Sequence, residues 1–117
     1  QIRDYIYVKE FTSAIIKTLD NRNAYGEIIN IASGIPITIK EVVLCVKDII
    51  GKGEPIFGGI SYRQGESMEL YANIEKAKRI LDWHPDYHFK RDLKKVINWY
   101  RNEWLKFNFR LKIKFVS

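Results

Sequence analysis

The chain has a single cysteine, Cys45, a single methionine and three prolines among 117 residues. One cysteine closes no internal disulfide, and Cys45, His84 and His88 stand in no spacing that zinc sites use. A reducing, cytoplasmic setting is the expectation. Long apolar runs are missing too: nothing approaches the roughly 18 residues that a membrane span requires. Internal repeats and low-complexity stretches are absent, and with 46% hydrophobic and 14% aromatic residues the chain is too apolar to remain disordered. The length holds one domain. There is no basic-then-apolar leader before the first strand-like residues, and the opening on Gln1 reads as a piece of something longer.

What is present is a mixed α/β pattern. Tyr5-Ile6-Tyr7-Val8 is aromatic and β-branched and predicts a short strand; Phe11, Ala14, Ile15, Thr18 and Leu19 follow at helical spacing. After the polar stop Asp20-Asn21-Arg22-Asn23, the run Glu27-Ile28-Ile29-Asn30-Ile31 predicts a second, buried strand. Ser33-Gly34 turns the chain. Thr38 with Glu41 forms a capping-box pattern ahead of a helix carrying Ile39, Val42, Val43, Val46, Ile49 and Ile50, ended by Gly51. The glycine-rich stretch 51–67 reads as loop around a short Ile56-Phe57 strand. Asn73 caps a short third helix with Ile74, Ala77, Ile80 and Leu81, which must end before Pro85. A fourth helix starts near Lys90, with Leu93, Val96, Ile97, Tyr100 and Trp104 on one face.

The tail departs from this pattern. Phe107, Phe109, Leu111, Ile113 and Phe115 alternate with Asn108, Arg110, Lys112, Lys114 and Val116, which predicts an amphipathic strand. The charge is concentrated there: of a formal net +6, residues 101–117 supply five basic side chains against Glu103 alone. The expected division is a domain over 1–106 and a basic amphipathic tail over 107–117.

Four blocks occur in a telling order. They are Arg3-Asp4-Tyr5-Ile6-Tyr7-Val8; Gly26-Glu27-Ile28-Ile29-Asn30-Ile31-Ala32-Ser33-Gly34; Tyr62-Arg63-Gln64-Gly65-Glu66 with Ala72-Asn73-Ile74-Glu75-Lys76-Ala77-Lys78; and Leu81-Asp82-Trp83-His84-Pro85 with Ile97-Asn98-Trp99-Tyr100. Together they resemble the C-terminal, substrate-binding part of an extended short-chain dehydrogenase/reductase of the NAD-dependent epimerase/dehydratase, nucleotide-sugar group. The resemblance implies a small mixed α/β substrate-binding domain whose Rossmann half lies outside this sequence. It also implies a nucleotide-sugar substrate, NAD or NADP bound by the parent protein and a possible homodimer of that parent. The glycine-rich dinucleotide fingerprint is not found at any expected strand-to-helix junction, so no cofactor-binding residue is assigned. The stretch Gly58 to Glu66 looks closer to 4-ketoreductases than to epimerases.

By the same resemblance Arg3 and Arg63 approach the nucleotide diphosphate, Glu66 meets the ribose hydroxyls and Tyr5 packs near the nucleotide. The chemistry suits them. A guanidinium fork makes two parallel hydrogen bonds to phosphate oxygens, and a carboxylate accepts two from a diol. Without the resemblance, Arg3 reads as a surface residue at a strand start, and the Arg63 loop reads equally as a plain surface turn. Asn30 and Ser33 could line a pocket. Tyr5 and Lys9 match the spacing of the family's proton-transfer pair, but on a strand residues four apart lie roughly 13 Å apart, so no catalytic residue is assigned. Trp83, Trp99 and Trp104 are assigned to packing. His84 and His88, separated by Pro85, are assigned to a solvated loop, and no metal site is expected.

Two other readings remain open on the sequence. One is a non-catalytic module whose basic tail meets nucleic acid or an anionic membrane surface; the patch is small, and Lys on an edge strand also guards against aggregation, so such contact is not expected. The other is a truncated remnant, whose uncovered helix faces would drive self-association.

Overall fold

The computed structural model describes the backbone of residues 1–114 and the side chains of residues 1–103. Its elements are β1 (Ile2–Asp4), α1 (Val8–Leu19), a 3-10 turn (Arg22–Ala24), β2 (Pro36–Thr38), α2 (Ile39–Ile50), α3 (Glu75–Leu81) and α4 (Phe89–Lys114). The result is a small mixed α/β unit. β1 and β2 pair antiparallel, with Arg3 opposite Ile37 and the donor-less Pro36 at the strand start opposite Asp4. On its other edge β1 exchanges hydrogen bonds with the 68–70 segment, Ile2 N donating to Met68 O at 2.7 Å and Leu70 N to Ile2 O at 3.0 Å.

The first strand therefore lies over Ile2–Asp4 and not over Tyr5–Val8. β propensity reports a fit to a pleated surface, whereas the strand forms where partners stand, and both partners lie against residues 2–4. The 27–31 run is also corrected. Its backbone forms no ladder among the described residues; Ile29 and Ile31 pack on the core while Ile28 is 86% exposed, so one face only of this extended stretch is covered. Ile56-Phe57 is likewise loop and turn, not strand.

α2 is the helix whose start and stop the sequence states outright. Thr38 Oγ1 accepts from Glu41 N, Thr38 N donates in return to the Glu41 carboxylate, and Gly51 closes the helix at φ +77°. α3 starts one residue later than expected: Asn73 Oδ1 accepts from Glu75 N at 2.9 Å, and Ile74 takes the cap position. It ends in Asp82 at φ +46°, where Asn21 Nδ2 donates to Ile80 O and Lys17 Nζ to Asp82 O. These two side chains satisfy carbonyls that the helix itself leaves without donors.

The core is the crossing of α1 and α3. Ala14 and Ala77 are completely buried, small enough to let the helices meet, and Leu81 and Trp83 fill the space beside them. Trp83 Nε1 donates to Ser13 Oγ at 2.9 Å, so the indole keeps its one polar atom satisfied. Trp83 is thus a packing residue, whereas Trp99 is 57% exposed and is not; the side chain of Trp104 lies outside the described residues. On the far side of α1, Val8, Phe11, Ile15, Ile16 and Leu19 are all exposed.

The tail is the largest correction. α4 runs without interruption from Phe89 to Lys114, across the expected boundary at 106/107, so residues 107–114 are helical and not an extended strand. No Gly or Pro stops the helix after Tyr100, and adding a turn to an existing helix costs far less than nucleating a new element. Residues 115–117 lie outside the described residues.

Candidate functional site

The site begins with Asp4, which sequence reasoning passed over. Its Oδ1 accepts from Ser33 N at 2.9 Å and from Ser33 Oγ, and its Oδ2 accepts from Gly34 N at 2.9 Å and Ala72 N at 3.4 Å. One carboxylate thus ties β1 to the Ser33-Gly34 turn and to the 71–73 segment. Gly34 holds φ +72°, which favours glycine, and a Cβ there would come within 3.1 Å of the Ile74 side chain, which would have to shift slightly.

Arg3, the residue before this anchor, is half-buried on β1. Nη1 donates to Ile2 O at 2.8 Å, and Nη2 lies 3.7 Å from Glu66 Oε1. Glu66 arrives on a tight turn: Glu66 N donates to Arg63 O at 3.1 Å, Arg63 N donates to Glu66 Oε2 at 3.3 Å, and Gly65 takes φ +76°. The hydrogen bond from the Gln1 side chain, then the Arg63 N–H, then the Arg3 and Arg63 charges hold the Glu66 carboxyl below its ordinary 4.5. Glu66 is therefore an acceptor at neutral pH, with the Arg3 guanidinium at 3.7 Å and the Arg63 N–H bonded to it. Arg3 also lines a cleft of about 350 Å³ with Asp4, Asn30, Leu70, Tyr71 and Ala72. Asn30 lines this cleft, and Ser33, 3% exposed and bonded to Asp4, lines a neighbouring one of about 770 Å³ with Tyr71, Asn73, Lys78 and His84.

On the other side of Gln1 lies a further cleft, of about 970 Å³, between the start of α2 and the 55–62 loop. Thr38, Lys40, Phe57, Ile60 and Tyr62 line it, and Lys40 Nζ sits 5.8 Å from the Phe57 ring centre. Gln1, Lys40 and Phe57 were not singled out by sequence; only tertiary structure places them on one cleft and Gln1 against Glu66.

Tyr5 goes elsewhere. It lies in the link between β1 and α1, 6.2 Å from the Phe89 ring, in an apolar pocket of about 320 Å³ with Tyr7, Tyr87, Leu93 and Val96. Asp92 closes that pocket: burial pushes its carboxyl up, but Arg91 and Lys95 together outweigh this and hold it below the ordinary value. The structure brings Arg3, Arg63 and Glu66 together and leaves Tyr5 out. Lys9 is inside α1 while Tyr5 precedes it, so the two do not share a helix face.

No glycine-rich turn joins a strand to a helix start among the described residues. A pyrophosphate-binding turn needs glycines between a strand and a helix start; the junctions here are Tyr5–Tyr7 and Thr38–Ile39, and Gly51, Gly53, Gly58 and Gly59 all follow α2. His88 Nε2 lies 3.1 Å from Asp86 Oδ1, and no group of three or more potential metal ligands occurs among the described residues.

An arginine from a short strand thus meets an Arg-x-Gly-Glu turn beside two clefts, a set of groups chemically able to pair with phosphate oxygens and hydroxyls. The chain is 35% identical over 103 residues to the putative UDP-glucose 4-epimerase of Methanocaldococcus jannaschii, covering 87% of itself and 32% of that protein. It is 30% identical over 101 residues to the UDP-glucose 4-epimerase of Rhizobium meliloti, with 85% and 30% covered. Among solved structures it superposes on the Thermotoga maritima UDP-glucose 4-epimerase with UDP-glucose (TM-score 0.79, 26% identity, 88% of this chain and 32% of that one). A Bacillus anthracis dTDP-glucose 4,6-dehydratase in complex with NAD gives a TM-score of 0.70 at 31% identity, with 87% and 32% covered. No family model matches the chain. The chain belongs to the extended short-chain dehydrogenase/reductases that act on nucleotide sugars, and corresponds to their C-terminal part. It spans about a third of the length of the relatives it matches.

Proposed function

We propose that this chain is the substrate-binding portion of an NAD(P)-dependent nucleotide-sugar epimerase, dehydratase or 4-ketoreductase, and that it grips the nucleoside diphosphate. The observation that carries the reading is the convergence of Arg3 and the Arg63–Glu66 turn, from segments far apart in sequence. Two arginine forks match the two phosphates, and Glu66, ionised at neutral pH, accepts from the ribose diol. The cleft lined by Phe57, Ile60 and Tyr62 opens beside Glu66 through Gln1 and suits the flat face of a base. Tyr5 then contributes through packing against α4 and not through ligand contact.

Hydride chemistry falls to a Rossmann part with NAD or NADP, outside this sequence; this portion fixes the sugar's orientation toward it. The exposed apolar face of α1 accords with a portion that rests on further structure. Epimerases lead the relatives and a CDP-abequose synthase is among them at 30% identity, so the reaction is kept at epimerase, dehydratase or 4-ketoreductase. A cytoplasmic, possible homodimeric parent completes the reading, with residues 1–106 as the binding unit and 107–117 as a basic extension.

The test is calorimetric titration of the chain with UDP, dTDP, CDP and GDP. At least one binds, and Arg63→Ala weakens it about tenfold or more, the worth of one charge-assisted pair. Equal affinity in parent and variant removes Arg63 from the site.

A further inference from the structure

Arg3 is the enclosed cation of the site, its side chain 23% exposed, and its fork is already engaged. Nη1 donates to Ile2 O at 2.8 Å, and Nη2 faces Glu66 Oε1 at 3.7 Å. At that distance and exposure the ion pair is no direct hydrogen bond and adds little to stability. Its consequence is for whatever approaches Arg3.

The charges around Arg3 cancel. Arg3 and Arg63 are the cations; Glu66 stands across from Arg3, and Asp4 lines the same cleft of about 350 Å³. The Asp4 oxygens are taken up by Ser33, Gly34 and Ala72, which leaves Glu66 as the carboxylate open to a ligand. Its side chain is 31% exposed, and a carboxylate has about four acceptor positions, so the Arg63 N–H does not exhaust it.

A cluster without net charge does not concentrate anions as a basic patch does. Phosphate or pyrophosphate reaching Arg3 brings like charge to Glu66 and no alcohol hydroxyl to satisfy it. A ribose diphosphate brings both partners, phosphate oxygens for the guanidinium and a diol for the carboxylate. Discrimination built this way needs the repulsive group as much as the attractive one.

Taking Arg3, Arg63 and Glu66 as the nucleoside diphosphate site proposed above, on which this inference rests, we propose that Glu66 is also a filter. It denies Arg3 to inorganic phosphate and pyrophosphate, and admits a diphosphate only when hydroxyls of the same molecule occupy the carboxylate.

The test is calorimetric titration of the chain, of Glu66→Gln and of Arg3→Ala/Glu66→Gln, in metal-free buffer at neutral pH. The probes are inorganic pyrophosphate and UDP, dTDP, CDP and GDP. Glu66→Gln keeps the shape and removes the charge, so it is expected to bind pyrophosphate about tenfold more tightly than the parent, the effect of one charge beside an anion at a protein surface. It is expected to bind the nucleoside diphosphate no more tightly than the parent does. The gain for pyrophosphate is expected to vanish in the double variant, because it is delivered through Arg3. Glu66→Ala is read in the same way, and circular dichroism checks that each variant is folded. A purely structural Glu66 predicts the opposite sign, since a loosened turn weakens every ligand. Unchanged or weaker pyrophosphate binding by the folded single variants overturns the filter, as does an equal gain for the nucleoside diphosphate or a gain that survives loss of Arg3; a nucleoside diphosphate bound by the parent then leaves the site itself standing. Binding of none of the four nucleoside diphosphates by the parent overturns the site, and the filter with it.

Discussion

Replacing Asp4 by alanine tests the claim that one carboxylate assembles this site. The substitution strips acceptors from Ser33 N and Gly34 N, both at 2.9 Å, and from the longer Ala72 N contact. The Ser33 hydroxyl has a second acceptor in Ile35 O at 3.3 Å, so its loss is partly made good. Ser33 is 3% exposed and water does not readily replace the carboxylate there. Two well-formed N–H donors left unpaired at about 1.5 kcal/mol each give roughly 3 kcal/mol. At about 4 °C per kcal/mol for a chain of this size, that is a fall in Tm of about 12 °C. Urea and thermal unfolding followed by circular dichroism measure it. Ser33→Ala, which keeps both N–H bonds to Asp4 but removes the hydroxyl and with it the acceptor of Ile35 N at 3.0 Å, should cost about 1.5 kcal/mol. A loss below about 0.5 kcal/mol for Asp4→Ala, or an equal loss for the two variants, would refute the reasoning.

Two further outcomes follow from the same geometry. Because Glu66 titrates below its ordinary 4.5, its contribution to stability is complete above that value and is lost as pH falls through the lower folded-state pKa. Carboxyl-carbon NMR should place its midpoint below 4.5 and move it up in Arg3→Ala; a midpoint at or above 4.5 in the parent contradicts the cluster. Trp83→Phe keeps most of the buried ring but leaves Ser13 Oγ without the indole donor 2.9 Å away, so it should destabilise by about 1 to 2 kcal/mol, against about 3 to 5 for Trp83→Ala. Denaturant midpoints separate the two, and equal values would remove the hydrogen bond from the account.

The sequence by itself determined what local chemistry can write. The Thr38-Glu41 box and Gly51 state the ends of α2, because capping depends on neighbours within one turn. The apolar spacing of Ala77 and Leu81 and the stop before Pro85 state α3. The ordered blocks also stated the family, and with it Arg3, Arg63 and Glu66, although nothing local requires residues so far apart to meet. Tertiary structure decided the rest. Strands exist only where partners stand, which moved β1 to Ile2–Asp4 and left Glu27–Ile31 unladdered. Asp4 carried no role in the sequence until its carboxylate met Ser33, Gly34 and Ala72, and Tyr5 packs on Phe89. The tail's alternating residues satisfy a strand and a helix equally well; continuation of α4 past Tyr100 chose the helix, because a helix already nucleated extends cheaply while a lone strand has nothing to pair with.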